Sequence, residues 1–469
     1  MSTRWMALTL AGLLAAAPAA ATTPPSVARD AQKDVMVTIY NGNLGLVKDV
    51  RELRLPPGTS ALQFMDVAAQ IDPTTVHLKS LTDPAGLRIL EQNYEYDLLS
   101  SAKLLEKYVG RKLRLYTGAG SFQEATLLST SGPVWEINGQ IHLGHPGQVV
   151  LPALPENLVS KPTLVWLLRN QLERPQRVEA AYLTGGITWK ADYVLVLDAA
   201  DARADLTGWV TIDNKSGATY ANAALKLVAG DVHRAADRGR DRRAMMELAA
   251  RPAAPGATHS FAEEGFFEYH LYTLDGRTTL KDNQTKQLTL MASAGVPVTK
   301  QLVYHGTQDY YRSQHGVPVS NQKVGVYLEL RNSAEHRLGV PLPRGKVRVY
   351  KADASGSPQF VGEDWIDHTP KNEKVKVKMG NAFDLVGERV QRDWRKLAGH
   401  LYEVEWEISL RNHKAADQTV TVIEPVPGDW QVLHSSHPYE KVEAHTLRYT
   451  LRVPKEGATK LSYRVRLRF

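Results

Sequence analysis

The densest grouping of residues able to do chemistry is Glu363-Asp364-Trp365-Ile366-Asp367-His368. Carboxylates beside an indole ring suit two tasks: holding a cation through oxygen ligands, or gripping a sugar with Trp365 as a stacking platform. Two carboxyl groups facing across a cleft could also hydrolyse a glycosidic bond, at about 5–5.5 Å for retention or about 6.5–9.5 Å for inversion. Glu363, Asp364, Trp365 and Asp367 are therefore the candidate ligand-binding residues. The same run also suits an exposed acidic turn at a strand end. A second aromatic cluster, Tyr304-His305 with Tyr310-Tyr311, reads equally well as packing.

Other spacings carry less. Ser100-Ser-Ala-Lys103 has the Ser-x-x-Lys spacing of serine acylases, but the accompanying Ser-Asp-Asn and Lys-Thr-Gly elements are missing from the sequence, and a helix cap is the better reading. His142-x-x-His145 and His434-x-x-His437 are the closest histidine pairs. On a strand, residues three apart point to opposite faces, so neither pair converges without a turn. No Gly-x-Ser-x-Gly elbow, His-Glu-x-x-His helix or phosphate loop occurs. No catalytic residue, metal or cofactor is assigned.

The elements that must position these residues begin with an export signal. Arg4 precedes the apolar run Met6–Ala17, and Ala19-Ala20-Ala21 offers a small-residue cleavage site, so residues 1–21 read as a signal peptide. The protein is expected in the periplasm or outside a bacterial cell. The chain has no cysteine, so disulfides, thiolate metal sites, thiol catalysis and a lipidated N-terminal cysteine are excluded. Each domain must hold itself by burial. Net charge is +7 from 57 Lys and Arg against 50 Asp and Glu, a mild bias. An exported location disfavours nucleic acid, and an envelope protein or anionic polysaccharide is the expected partner class. No stable membrane insertion is expected.

Residues 22–34 read as a flexible arm and 35–95 as β-sandwich material. Residues 96–155 read as one short helix followed by five strands, resembling a small SH3/Sm-like barrel. Asn138-Gly139 there is the strongest hairpin signal in the chain. Sandwich strands resume over 160–230. An Arg- and Pro-rich flexible linker occupies 231–262, with Arg234, Arg238, Arg240, Arg242 and Arg243 close together. Residues 266–469 are a C-terminal sandwich region of period-two strands.

Two stripes there fix an expectation. Tyr402, Val404, Trp406, Ile408 and Leu410 alternate with Glu403, Glu405 and Glu407. Adjacent glutamates on one face need positive neighbours. The strand over 383–395 should pair with them, placing at least two of Arg389, Arg392 and Arg395 within ion-pairing reach. The final strand alternates Leu461, Tyr463, Val465, Leu467 and Phe469 with Arg464, Arg466 and Arg468. Such an ending also suits an outer-membrane β-barrel, but many segments are shorter than the 9–11 residues that span a bilayer.

Several phrases resemble a known family. Gly186-Ile-Thr-Trp189-Lys-Ala-Asp-Tyr193, then Asn214, Gly217 and Leu225-x-Leu227-x-x-Gly230, resemble the opening of a bacterial domain of unknown function shared with the mucoidy-inhibitor-A-like proteins. Pro341-Leu-Pro-Arg-Gly345-Lys-Val-Arg-Val-Tyr350, Phe360-Val-Gly-Glu-Asp364, Ala382-Phe-Asp384 and Tyr463-Arg-Val-Arg resemble its later part. The resemblance covers roughly residues 176–469, and the strands at 35–93 look like the family's leading domain. The family's coiled coil is replaced here by the small barrel. The resemblance implies an exported, β-rich protein and brings no catalytic residues.

The expected fold is mainly β, with tandem antiparallel Ig-like β-sandwich domains and the small barrel inserted. The expected function is that of a non-enzymatic cell-envelope protein presenting β-sheet surfaces for protein or polysaccharide binding. The alternatives are an envelope-polysaccharide hydrolase using the acids near Trp365, and an outer-membrane barrel.

Overall fold

The computed structural model describes residues 25–95, 100–116, 121–144, 147–153, 161–230, 232–233, 258–259, 261–307, 310–315 and 319–469. Residues 1–21, expected as a signal peptide, and most of the Arg-rich stretch lie outside the described residues. Strands make up 67% and helices 4%, so the chain is mainly β, as its period-two alternation requires. The sheets are mostly antiparallel and open rather than closed into barrels, consistent with a β-sandwich. Among the described residues, no helix is long and apolar enough to cross a membrane.

The chain divides into two compact units that cut across the sequence blocks. One takes Lys48–Tyr182 and the residues up to Asp34; the other takes Val35–Val47 and Leu183–Phe469.

In the first unit, Ser26–Val27, Gly58–Met65, Thr163–Asn170 and Leu87–Glu95 form one sheet. His77–Ser80 pairs with Gln176–Thr184 in a second. Arg51 is fully buried between them. Its Nη1 donates to Val27 O at 2.8 Å and Met65 O at 2.7 Å, while Nε and Nη2 bind Asp49 Oδ2. The guanidinium also stacks 3.7 Å from the Phe64 ring centroid. Residues 22–34 were expected as a flexible arm, and 25–34 of them are described. The described ones include the strand Ser26–Val27, a 3-10 turn at Arg29–Ala31 and the Val27 carbonyl that Arg51 needs.

The insert has its helix at Ser101–Lys107, and Ser100 caps it by accepting from Lys103 N at 3.2 Å. The Ser-x-x-Lys spacing is thus a cap. The strands Lys112–Tyr116, Phe122–Ser129, Val134–Ile137 and Gln140–Leu143 meander, and Gln148–Val150 returns beside the first. This is the strand order of a small SH3-type barrel, as an open sheet over Leu115, Leu127 and Trp135. Asn138 and Gly139 both take positive φ, 50° and 75°, which the primed hairpin turn demands.

The second unit stacks two layered pairs. In the first, a sheet of Pro358–Ile366, Gly345–Ala352, Ile187–Leu197, Arg203–Asn214 and the start of Gln284–His305 faces one containing Tyr220–Ala229 and Tyr269–Leu280. The 22-residue strand Gln284–His305 then runs on into the second pair, where it meets Val319–Arg331 and Gln418–Pro425. There Lys374–Ala398, Leu401–Asn412 and Gly457–Arg468 pack over Gln418–Pro425 and Thr446–Val453 around Trp406, Tyr449 and Tyr463.

One device recurs at strand ends. Asn170, Asn214, Asn332 and Asn412 are all buried. Each follows an apolar residue and a charged one, as in Leu410-Arg411-Asn412. Each side-chain amide donates to main-chain carbonyls of nearby turns: Asn412 to Ala416 O, Val453 O and Pro454 O, and Asn214 to Ala218 O, Leu280 O and Lys281 O. Each Oδ1 accepts a backbone N–H, from Leu172, Ser216, Gly339 and Lys414 in turn. Turn carbonyls that would otherwise be buried without partners are thereby satisfied.

The expected strand pairing holds, but the charge pairing differs. Lys374–Ala398 pairs with Leu401–Asn412, yet only Arg392 among the three arginines bonds a glutamate of the stripe, Glu407 at 2.7 Å. A bulge between Gln391 and Asp393 shifts the register. Arg389, opposite Ile408, turns into the core and pairs with buried Glu424 at 3.0 Å, its guanidinium 3.4 Å from the Trp406 ring centroid. Arg395 bonds Asp393. Glu405 and Glu403 are answered from the final strand by Arg464 at 2.6 Å and Arg466 at 2.7 Å.

Asn412→Ala is expected to destabilise the second unit by at least about 1–3 kcal/mol, the cost of leaving buried polar groups unsatisfied. The neighbouring exposed change His413→Ala should stay within about 0.5 kcal/mol. Denaturant unfolding of both variants checks this, and equal midpoints would contradict the role assigned to the asparagine.

Candidate functional site

The acidic run lies on Pro358–Ile366, the outermost strand of its sheet, antiparallel to Gly345–Ala352, which is in turn parallel to Ile187–Leu197. Strand alternation separates the candidates. Glu363 and Trp365 share the face opposite Arg348 and Lys346. Glu363 bonds Lys346 Nζ at 2.8 Å and Arg348 Nε at 3.3 Å, and Arg348 also reaches buried Asp192 at 3.1 Å. Asp364 points the other way: its Oδ1 accepts from Trp365 N and its Oδ2 from Lys378 N at 2.7 Å. It ties the edge strand to Lys374–Ala398. The Asp367 side chain is 95% exposed, with Arg344 Nε 3.8 Å away.

The carboxylates therefore diverge, and none of them lines a cleft with Trp365. Glu363 is held below the ordinary glutamate pKa by the hydrogen bond from Lys346, aided by the charge of Arg348. A group so held is ionised at neutral pH and has no proton to give.

Trp365 instead forms part of a different groove, of about 420 Å³. The ring is 56% exposed, with Lys346 Nζ 5.5 Å from its centroid. Tyr40, Asn41 and Gly42 of one turn form another wall, beside Trp189 and Lys190. Gly230, Arg344 and His368 complete the rim, and among the described residues no Asp or Glu lines the groove.

Local bonds fix this shape. Asn41 Nδ2 donates to Trp189 O at 3.2 Å, and Thr188 Oγ1 donates to Asn41 O at 3.1 Å. Trp189 Nε1 donates to Val228 O. The Pro341–Arg344 segment is held by two buried tyrosines: Tyr272 Oη donates to Pro341 O at 3.0 Å and Tyr193 Oη to Pro343 O at 2.8 Å. Burial raises the pKa of both phenols, so they stay protonated as donors. A side chain at Gly345 would meet Ala191 O and the Tyr193 ring, and one at Gly230, where φ is 137°, would meet the Tyr269 ring.

Of the four candidates, the groove takes in Trp365 and leaves out Glu363, Asp364 and Asp367. The other lining residues were visible only as fragments: Asn41-Gly42 as a turn, and Trp189-Lys190, Gly230 and Arg344 inside separate phrases of the family resemblance. Their convergence depends on a parallel pairing between strands about 150 positions apart (Ala191 with Gly345). Tyr311 of the second aromatic cluster is core, in edge contact with Trp406 at 5.7 Å. His145 lies outside the described residues, and His434 and His437 sit in an exposed segment where His437 Nδ1 meets Ser436 Oγ.

Carbon-13 titration of Glu363 should give a midpoint below the ordinary glutamate value of about 4.3. Because the folded-state pKa is lowered, the contribution of this carboxylate to stability is present above its unfolded pKa. It is lost as pH falls through the folded value. A midpoint above the ordinary value would restore Glu363 as a candidate acid. No protein-family model matches the chain, and no curated protein matches it.

Proposed function

We propose that this is an exported, non-catalytic protein of the bacterial cell envelope, related to the mucoidy-inhibitor-A-like proteins, that works by presenting β-sheet surfaces to an envelope protein or an anionic polysaccharide. The observation that carries the reading is the divergence of the acidic run. Glu363 is neutralised by two cations, Asp364 is spent on a main-chain N–H, and Asp367 stands in solvent. Hydrolysis of a glycan needs two carboxyl groups facing one bond, and these three do not face one another across a cleft. An exposed aromatic platform on an outer strand suits binding.

The hydrolase is the second reading, and the proximity of Trp365 to the three acids in sequence is what favours it. One preparation separates the two. Expressed from the full precursor, the protein should be recovered outside the cytoplasm with Thr22 as its first residue. Incubated with envelope glycan, it should release no reducing ends. Release of reducing ends that Asp364→Asn abolishes would establish the hydrolase.

A further inference from the structure

The groove beside Trp365 carries a more specific reading, which rests on the binding role proposed above. We propose that it is a binding site for an acidic saccharide, taking a carboxylated sugar ring between Trp365, Arg344 and the Asn41 turn.

Three features select that ligand class. The first is charge. Lys190, Arg344 and His368 supply nitrogen donors, and among the described residues no carboxylate lines the groove to repel an anion. The nearby acids are engaged elsewhere: Glu363 faces Lys346 and Arg348, and Asp364 faces Lys378 N. Among the described residues, only Asp367, 3.8 Å from Arg344 Nε and almost wholly in solvent, competes for that guanidinium. The planar fork of an arginine matches a carboxylate in a bidentate fashion.

The second is the aromatic surface. Trp365 offers an exposed indole face beside the cationic side chains, a place for the C–H face of a sugar ring. The third is a buried acceptor. Asn41 commits Nδ2 to Trp189 O, while its Oδ1 is buried with no hydrogen-bond partner among the described residues. Such an oxygen calls for a donor, and a sugar hydroxyl supplies one where a bare sulfate cannot. Tyr40, whose phenol pKa is raised chiefly by burial, lines the same wall. A ligand with an anion, hydroxyls and an apolar ring face meets all three.

The groove is also preorganised. The buried tyrosines hold the backbone that carries Arg344, and the Asn41 turn is bonded to the strand that carries Trp189 and Lys190. Little ordering is left to do on binding.

The test is calorimetric titration of the full mature chain with a glucuronate-containing tetrasaccharide, with its carboxyl-reduced counterpart, and with a peptide ending in a free carboxylate. The acidic saccharide should bind, and reduction of its carboxyls should weaken binding by about tenfold or more, the worth of one charge-assisted contact. Arg344→Ala and Trp365→Ala should each weaken it by about tenfold without moving the thermal midpoint. Glu363→Gln, outside the groove, should leave it unchanged. Equal binding of acid and reduced sugar, binding untouched by Arg344→Ala, or binding of the peptide but of neither saccharide would each overturn the proposal. If no saccharide binds while the chain still captures an envelope protein, this site assignment fails and the binding role stands. Cleavage of the saccharide would instead sink the binding role itself.

Discussion

A buried asparagine at a strand end is the constraint on which this cysteine-free chain rests. Every sandwich must bury the turns that close its layers, and buried turn carbonyls without donors are costly. Asn170, Asn214, Asn332 and Asn412 each solve this in the same way, with one amide spread over several carbonyls and one Oδ1 returned to a backbone N–H. Where a secreted domain would often carry a disulfide, these units carry a hydrogen-bonded staple. The buried pairs Arg51–Asp49 and Arg389–Glu424 add charge to the same scheme, each stacked on an aromatic ring. Such pairs resist being broken more than they add net stability.

Fixed strand ends allow a functional surface to be built from strands distant in sequence. The parallel pairing of Ile187–Leu197 with Gly345–Ala352 brings Trp189 and Lys190 beside Arg344, and the next strand out delivers Trp365. Gly345 is required because Ala191 O and the Tyr193 ring occupy the place of its side chain. The tyrosines that bond Pro341 O and Pro343 O hold Arg344 at the rim. Packing in the sandwich thus sets the geometry of the groove.

Much of the fold was legible in the sequence, because a period of two with one apolar face has few other meanings. The capped helix at Ser101–Lys107 and the Asn138-Gly139 hairpin follow from local chemistry alone. What escaped were non-local choices. The glutamate stripe was matched to its sequence neighbour, whereas the final strand, whose arginine stripe was equally plain, supplies Arg464 and Arg466. The bulge at Gln391–Asp393, which shifts the register beyond Arg389, left no mark in the residue pattern. Of the candidate site, only Trp365 was found, because acidic residues advertise themselves in a sequence, whereas a groove formed by a turn, two distant strands and a proline-rich segment does not. The recurring apolar-charged-Asn triplet was there to be read and is the clearest signal that went unused.

The central claim is that recognition is housed in the groove framed by residues 40–42, 188–190, 343–345 and 365–368, through contacts that need no catalytic acid. Hydrogen–deuterium exchange of the mature chain, with and without a saturating acidic oligosaccharide, addresses it most directly. The account predicts slowed exchange at those four segments, with the rest of the chain unchanged and the oligosaccharide recovered intact. Slowed exchange confined to other segments, or a shortened oligosaccharide, would contradict it.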